Sequence, residues 1–242
     1  MLQQTQVARV VSKYEVFLAR FPTPAACAAA PPGDVVRAWA GLGYNRRAIN
    51  LHRAAVAVVD HHAGRLPVQL DELLALPGIG PYTARAVLAF AYEADVAVLD
   101  VNARRVLARA FSCADQSGAD RLVPPGRGWD WNSAVLDLGA TVCTSRAPRC
   151  GACPLVRSCA WAVAGYPQPD PARRTARQSR FDGSDRQGRG RLVDALRLAP
   201  VAVGDLAAVM GWPDDQERAA RVAGGVVADG LAVSDGEKMS LP

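Results

Sequence analysis

Four cysteines stand within 17 residues of a 242-residue chain, spaced Cys143-x6-Cys150-x2-Cys153-x5-Cys159. Four thiolates suit tetrahedral zinc or an iron–sulfur cluster. Structural zinc usually draws on two separate close pairs. Here one close pair, Cys150 and Cys153, has a single cysteine on either side. A compact loop wrapped round a cube-shaped cluster accounts for that spacing better, and such a cluster can brace a loop without any redox role. Arg146, Arg149 and Arg157 share the stretch, so an ordered loop could present them to phosphates. Cys27 and Cys113 stand alone and read as small buried hydrophobes.

Two further stretches could do chemistry. In Leu76-Pro77-Gly78-Ile79-Gly80-Pro81-Tyr82-Thr83 the two glycines permit a tight turn and close backbone approach. The amides opening the following helix could then face a phosphate oxygen; an ordinary helix–helix turn is the plainer alternative. In Leu99-Asp100-Val101-Asn102-Ala103-Arg104-Arg105-Val106 the aspartate sits where a helix would begin, and by itself Asp100 reads as an N-cap.

The elements around these residues read as helices. VARVVSKYEVFLARF places Val7, Val10, Val11, Tyr14, Phe17 and Leu18 at spacings of three and four. Residues 45–62 repeat the pattern with Ile49, Leu51, Ala55 and Val58, and further runs cover 81–92, 101–111 and 131–143. FPTP, PPGD, LPGIGP and VPPGRG separate them, and no strand alternation interrupts them. An all-α domain over residues 1–165 follows. Residues 166–188, polar and arginine-rich, read as a linker whose run from Arg173 to Arg180 either touches phosphates or is simply solvated. Residues 189–242 read as three short helices and a hairpin around Asp235-Gly236, a small winged-helix-like α+β module. That shape alone does not decide between a DNA and a protein partner.

Composition sets looser bounds. The net charge of +5 and pI of about 9.1 fit nucleic-acid binding, although only Lys13 and Lys238 are lysines and biased codon usage would give the same excess of arginine. No stretch approaches the ~18 apolar residues of a membrane span, and the polar start MLQQTQVARVV is no secretory signal. The expected compartment is the cytoplasm, without a membrane partner.

Together, the LPGIGPYTA hairpin, the aspartate opening LDVNARRV and the cysteine spacing resemble the helix–hairpin–helix, Gly/Pro-rich, Asp superfamily of DNA glycosylases over about residues 1–165. Three stretches resemble the adenine DNA glycosylases of the MutY type: MLQQTQV at 1–7, GLGYNRRAINLH at 41–52 and WNSAVLDLGATVCT at 131–144. The resemblance implies a helix–hairpin–helix glycosylase fold, a [4Fe-4S] cluster on Cys143, Cys150, Cys153 and Cys159, and a nucleoid-associated monomer. The substrate it implies is double-stranded DNA holding adenine mispaired with guanine or 8-oxoguanine. Asp100 matches the carboxylate that stabilises the oxocarbenium-like sugar. Gly78 and Gly80 match the backbone anchor on DNA. Gln4 and Tyr44, with Leu42 beside them, match residues that wedge into the duplex. Tyr82 stands at the pocket, where relatives resembling endonuclease III carry a lysine that forms a Schiff base. Its presence implies a monofunctional enzyme that leaves an abasic site.

The same resemblance raises one difficulty. The family's acid is a glutamate in Glu-Val-Met-Leu-Gln-Gln-Thr, two positions before Met1, and the upstream segment of the domain is also absent. A misassigned start or a true truncation accounts for both, and the expectation is that this polypeptide excises adenine poorly. Glu15 is too far along its helix to stand in. Val101 occupies a position where the family usually has glycine, and the C-terminal module is unlike the Nudix-like domain of many relatives. Three alternatives stay open: an endonuclease III-like glycosylase/lyase, a non-catalytic iron–sulfur DNA-binding protein, and a zinc-bound winged-helix transcription factor.

Overall fold

The computed structural model describes residues 1–2, 5–113, 115–172 and 180–242. In chain order these form α1 (Val7–Arg20), α2 (Pro24–Ala28), α3 (Pro32–Ala38), α4 (Arg46–His61), α5 (Leu70–Ala75), α6 (Pro81–Ala91), α7 (Val101–Phe111), α8 (Gln116–Leu122), α9 (Gly128–Thr141) and α10 (Ala160–Val163). Then follow α11 (Asp185–Leu198), β1 (Val201–Ala202), α12 (Leu206–Met210), α13 (Gln216–Ala228), β2 (Val233–Ser234) and β3 (Lys238–Ser240). No described helix is long and apolar enough to cross a membrane.

Contacts divide the chain into two compact units. The first comprises Met1–Pro67, Leu76–Gly78 and Gln178–Pro242; the second comprises Val68–Ala75 and Ile79–Arg177. Packing therefore cuts the chain elsewhere than the sequence boundaries at 165 and 189, because the C-terminal residues share a core with the N-terminal ones. Phe17, Trp39 and Ile49 belong to the same buried cluster as Leu192, Met210, Val226 and Met239. Gly33, in α3, donates its backbone N–H to the carbonyl of Pro242 at 2.8 Å, and a Cβ there would sit 2.6 Å from that oxygen. Only glycine lets the two backbones approach so closely.

Within the first unit, α11, α12 and α13 pack on one another, and three short strands close the C-terminus in the order β1-β3-β2, all antiparallel. Asp235 makes the hairpin turn: its Oδ1 accepts from the N–H groups of Glu237 and Lys238, while Gly236 takes φ 96°. Helices followed by a hairpin match the winged-helix expectation, with β1 as an added strand. Helix α11 starts earlier than expected, inside the stretch read as linker. Ser184 caps it by accepting from the N–H of Gln187, and residues 185–188, read as linker, thus become its first turn. Most of the Arg173–Arg180 run lies outside the described residues.

In the second unit α5 and α6 flank the glycine turn, and α7 packs along α9. Gly139 permits that approach, since a Cβ would lie 2.8 Å from the Cβ of Asn102. Its apolar cluster is small: Ala97, Leu99, Ala103, Val106, Leu107, Ala119, Val123 and Val135.

Candidate active site and metal centre

Asp100 is the N-cap of α7. Its Oδ1 accepts from the N–H groups of Asn102 and Ala103, both at 2.7 Å, and its Oδ2 accepts from Asn102 Nδ2 at 3.2 Å. The capping and chemical roles are compatible, because a carboxylate has about four lone-pair sites and these bonds leave Oδ2 room for another partner. The chain entering the cap is held from behind. Asn132, 1 % exposed, accepts from Val98 N–H at 2.7 Å and donates to the carbonyls of Val96 and Gly128, each at 2.8 Å. Asp120 accepts from Ala97 N–H at 2.9 Å and pairs with Arg85 at 2.7 Å. Arg105 ties the cap to the end of α9. It donates to Asn102 Oδ1 at 2.8 Å and to the carbonyls of Gly139 and Cys143, both at 2.6 Å.

Tyr82 opens α6 in the same unit. Burial pushes its phenol pKa up, and the charge of Asp100 pushes it further, so the hydroxyl stays protonated at neutral pH. The unit holds no lysine; Lys13 and Lys238 both lie in the first unit. The two hairpin glycines differ. Gly78 takes φ 76°, and a Cβ would meet Asn50 at 2.5 Å, so the fold itself demands glycine there. Around Gly80, the N-cap of α6, a Cβ would meet nothing within 4 Å. Open space therefore faces the helix start, where first-turn amides point outward.

Cys143, Cys150, Cys153 and Cys159 line a single cavity, walled by apolar groups that include Leu138 and Val156. Among the described residues no three Cys, His, Asp or Glu converge tightly enough to hold one metal ion. Arg109 forms one wall at 2 % exposure. It donates to Cys143 Sγ at 3.4 Å and to the Thr144 carbonyl at 2.9 Å, lies 4.7 Å from the Trp161 ring centroid, and is ion-paired with Asp170. The Arg109 guanidinium holds the Asp170 carboxyl below the usual carboxylate range.

The residues expected to wedge into DNA lie in the first unit. Tyr44 is exposed, at the end of a loop in which Gly41, Gly43 and Tyr44 all take positive φ (84°, 69° and 48°). Leu42, expected beside it at the DNA, is instead 3 % exposed, because its side chain packs into the core with Phe17 and Trp39. Only its backbone serves the loop: the Leu42 carbonyl accepts from Thr5 Oγ1 at 3.1 Å and Arg47 Nη2 at 3.0 Å. Gln4 lies outside the described residues. Arg105, Arg109, Asn132 and Asp170 were not singled out by sequence, for they have partners far along the chain, and Asn102 was not although Asp100 and Arg105 are near it in sequence.

Comparison with known proteins accords with this geometry. Residues 1–122 match the HhH-GPD superfamily of base excision DNA repair proteins. Adenine DNA glycosylase of Mycolicibacterium smegmatis is 45 % identical, over 96 % of this chain and 80 % of that protein. The Mycobacterium tuberculosis protein of the same name is 43 % identical over 96 % of this chain and 79 % of its own length. A thermostable thymine-DNA glycosylase superposes with a TM-score of 0.64 at 28 % identity, covering 67 % of this chain and 80 % of that one. The chain belongs to the HhH-GPD superfamily of base-excision repair proteins and, within it, to the adenine DNA glycosylases.

Proposed function

We propose that the base this DNA glycosylase removes is adenine mispaired with guanine or 8-oxoguanine, and that it removes it by hydrolysis alone. The observation that carries this reading is Tyr82 beside Asp100 in a unit without lysine. Excision begins when the target nucleotide leaves the stack and enters a pocket. As the bond from C1′ to the base breaks, the electron pair departs with the protonated base and the sugar becomes oxocarbenium-like. Asp100 Oδ2 faces that charge, its position fixed by the two amides on Oδ1. Water then adds to C1′ and releases a proton, leaving an abasic site. A tyrosine cannot supply the amine for a Schiff base, so the strand stays intact. The open start of α6 at Gly80 would take a DNA phosphate, and Tyr44 would fill the step vacated by the extruded base.

The four cysteines fit a [4Fe-4S] cluster. Their spacing, one close pair with a single cysteine on either side, and their shared place around one cavity support a cluster over a single tetrahedral zinc ion. When bound, the group would tie the end of α9 to the loop through Cys159. Arg109 would donate toward the sulfur of Cys143. Iron and acid-labile sulfide at about four each per chain would bear this out, and zinc in their place would not.

Single-turnover release of adenine from an 8-oxoguanine:adenine duplex tests the reading, using this chain and the same chain preceded by the family's Glu-Val pair. The extended chain is expected to release adenine without strand cleavage, and Asp100→Asn to slow it by about 100-fold or more. A covalent adduct on borohydride treatment would overturn hydrolysis-only chemistry.

A further inference from the structure

The loop carrying Tyr44 joins α3 to α4, and one guanidinium from the far end of the chain grips both of its stems. Arg197, in α11, donates from Nε to the carbonyl of Val36 at 3.0 Å, near the end of α3, and from Nη2 to Asn45 Oδ1 at 2.8 Å, one residue before α4. Its Nη1 pairs with Asp194. The Arg197 side chain is only 8 % exposed, and burial lowers its pKa from the usual arginine value. A charge so enclosed persists only where its hydrogen bonds are satisfied, and here the loop stems satisfy two of them.

The loop needs such a brace. Tyr44 has a side chain and yet sits at φ 48°, which persists only when its surroundings over-determine it. From the first turn of α4, Arg47 binds the carbonyls of Leu42 and Gly43 at 3.0 and 3.2 Å and stacks near Trp39 and Tyr44. Arg197 fixes the distance between the stems across which that inner packing is stretched. We propose that Arg197 is a positioning residue for Tyr44, and that the C-terminal winged-helix-like segment serves mismatch recognition by bracing this loop. This rests on the reading of Tyr44 as the residue that enters the duplex.

The test uses the full chain and a duplex with 2-aminopurine next to an 8-oxoguanine:adenine pair, a base that brightens when its stacking is broken. Fluorescence on binding and the preference for mispaired over matched duplex are read together. Tyr44→Ala is expected to abolish the brightening. Asn45→Ala, which leaves the core untouched, and Arg197→Met are each expected to lower the mispair preference about fivefold to tenfold, and the double variant to lower it no further. Asn45→Asp keeps the acceptor and is expected to retain the signal; Arg197→Lys cannot span both stems and is not. If Tyr44→Ala abolishes brightening while Asn45→Ala and Arg197→Met leave it whole, Arg197 does not position the wedge. If Tyr44→Ala also changes nothing, the wedge reading fails and takes the inference with it. Should Arg197→Met not fold, the Asn45 pair of variants decides alone.

Discussion

The first unit buries rings and branched aliphatic side chains: Phe17, Phe21, Trp39, Ile49, Leu192, Leu196 and Leu231 meet in one cluster of 25 described residues. The cluster of the second unit has eight, mostly alanine and valine, and in their stead the unit buries Arg105, Arg109 and Asn132. Apolar burial is non-directional and tolerates small shifts. A buried polar network holds its members at fixed angles, but it is costly when half satisfied. The second unit carries Asp100 and the four cysteines, where an ångström matters. The difference teaches that the unit proposed to do the chemistry is built for orientation, and the unit presenting Tyr44 for bulk stability, with His52 and the Arg197 side chain as polar groups enclosed among its apolar ones.

The largest effect should therefore come from breaking the second unit's network. Arg109→Met leaves Asp170, 12 % exposed, without its counter-charge beside the cysteine cavity. A loss of about 3–5 kcal/mol in urea unfolding is expected, with lowered iron content. Adding Asp170→Asn to that variant should restore much of the stability, because no unpaired charge then remains. A loss below about 1 kcal/mol would mean that the pair behaves like a surface bridge, and the contrast between the units would fail. In the first unit, Leu192→Ala should cost about 2–4 kcal/mol through the cavity it leaves, with iron content unchanged. Iron loss in that variant would show that the two units do not separate as their cores suggest.

Much of the fold was legible in the sequence because its long helices repeat their pattern. The reading placed helices over 81–92 and 101–111, and α6 and α7 run Pro81–Ala91 and Val101–Phe111. Helices α2, α3, α5, α8 and α10, of four to seven residues, were not seen, since fewer than two turns cannot show a period. The site divides in the same way. Asp100, Tyr82 and the cysteines could be named from local motifs. Arg109 and Arg197 could not: an arginine on a helix reads as part of a solvated face, and their partners Asp170 and Val36 lie 61 and 161 residues away. The burial of Leu42 was not legible because the motif gives a position along the chain, not the direction of a side chain.

The smallest expected effect sharpens the comparison at the rim of the first unit. Asp185 joins α11 to α13 through Arg218, at 2.7 Å, and Arg221, at 2.8 Å, and those arginines hold its carboxyl below the usual range. Because the folded pKa is depressed, the contribution is fully present above the unfolded value of about 3.9 and is lost as pH falls through the folded one. At 44 % exposure the bridge is screened, so Asp185→Asn should cost only about 0.5 kcal/mol at pH 7, a fall in Tm of roughly 1–3 °C. The stacking of Arg218 on Trp212, 3.9 Å from the ring centroid, survives the substitution and limits the loss. Thermal unfolding of both proteins from pH 7 down to pH 3 should show the gap closing in acid. A gap that does not narrow at all by pH 3 would place the effect in the start of α11 rather than in the ion pair. A gap several times larger at pH 7 would mean that the first unit, too, leans on a polar network.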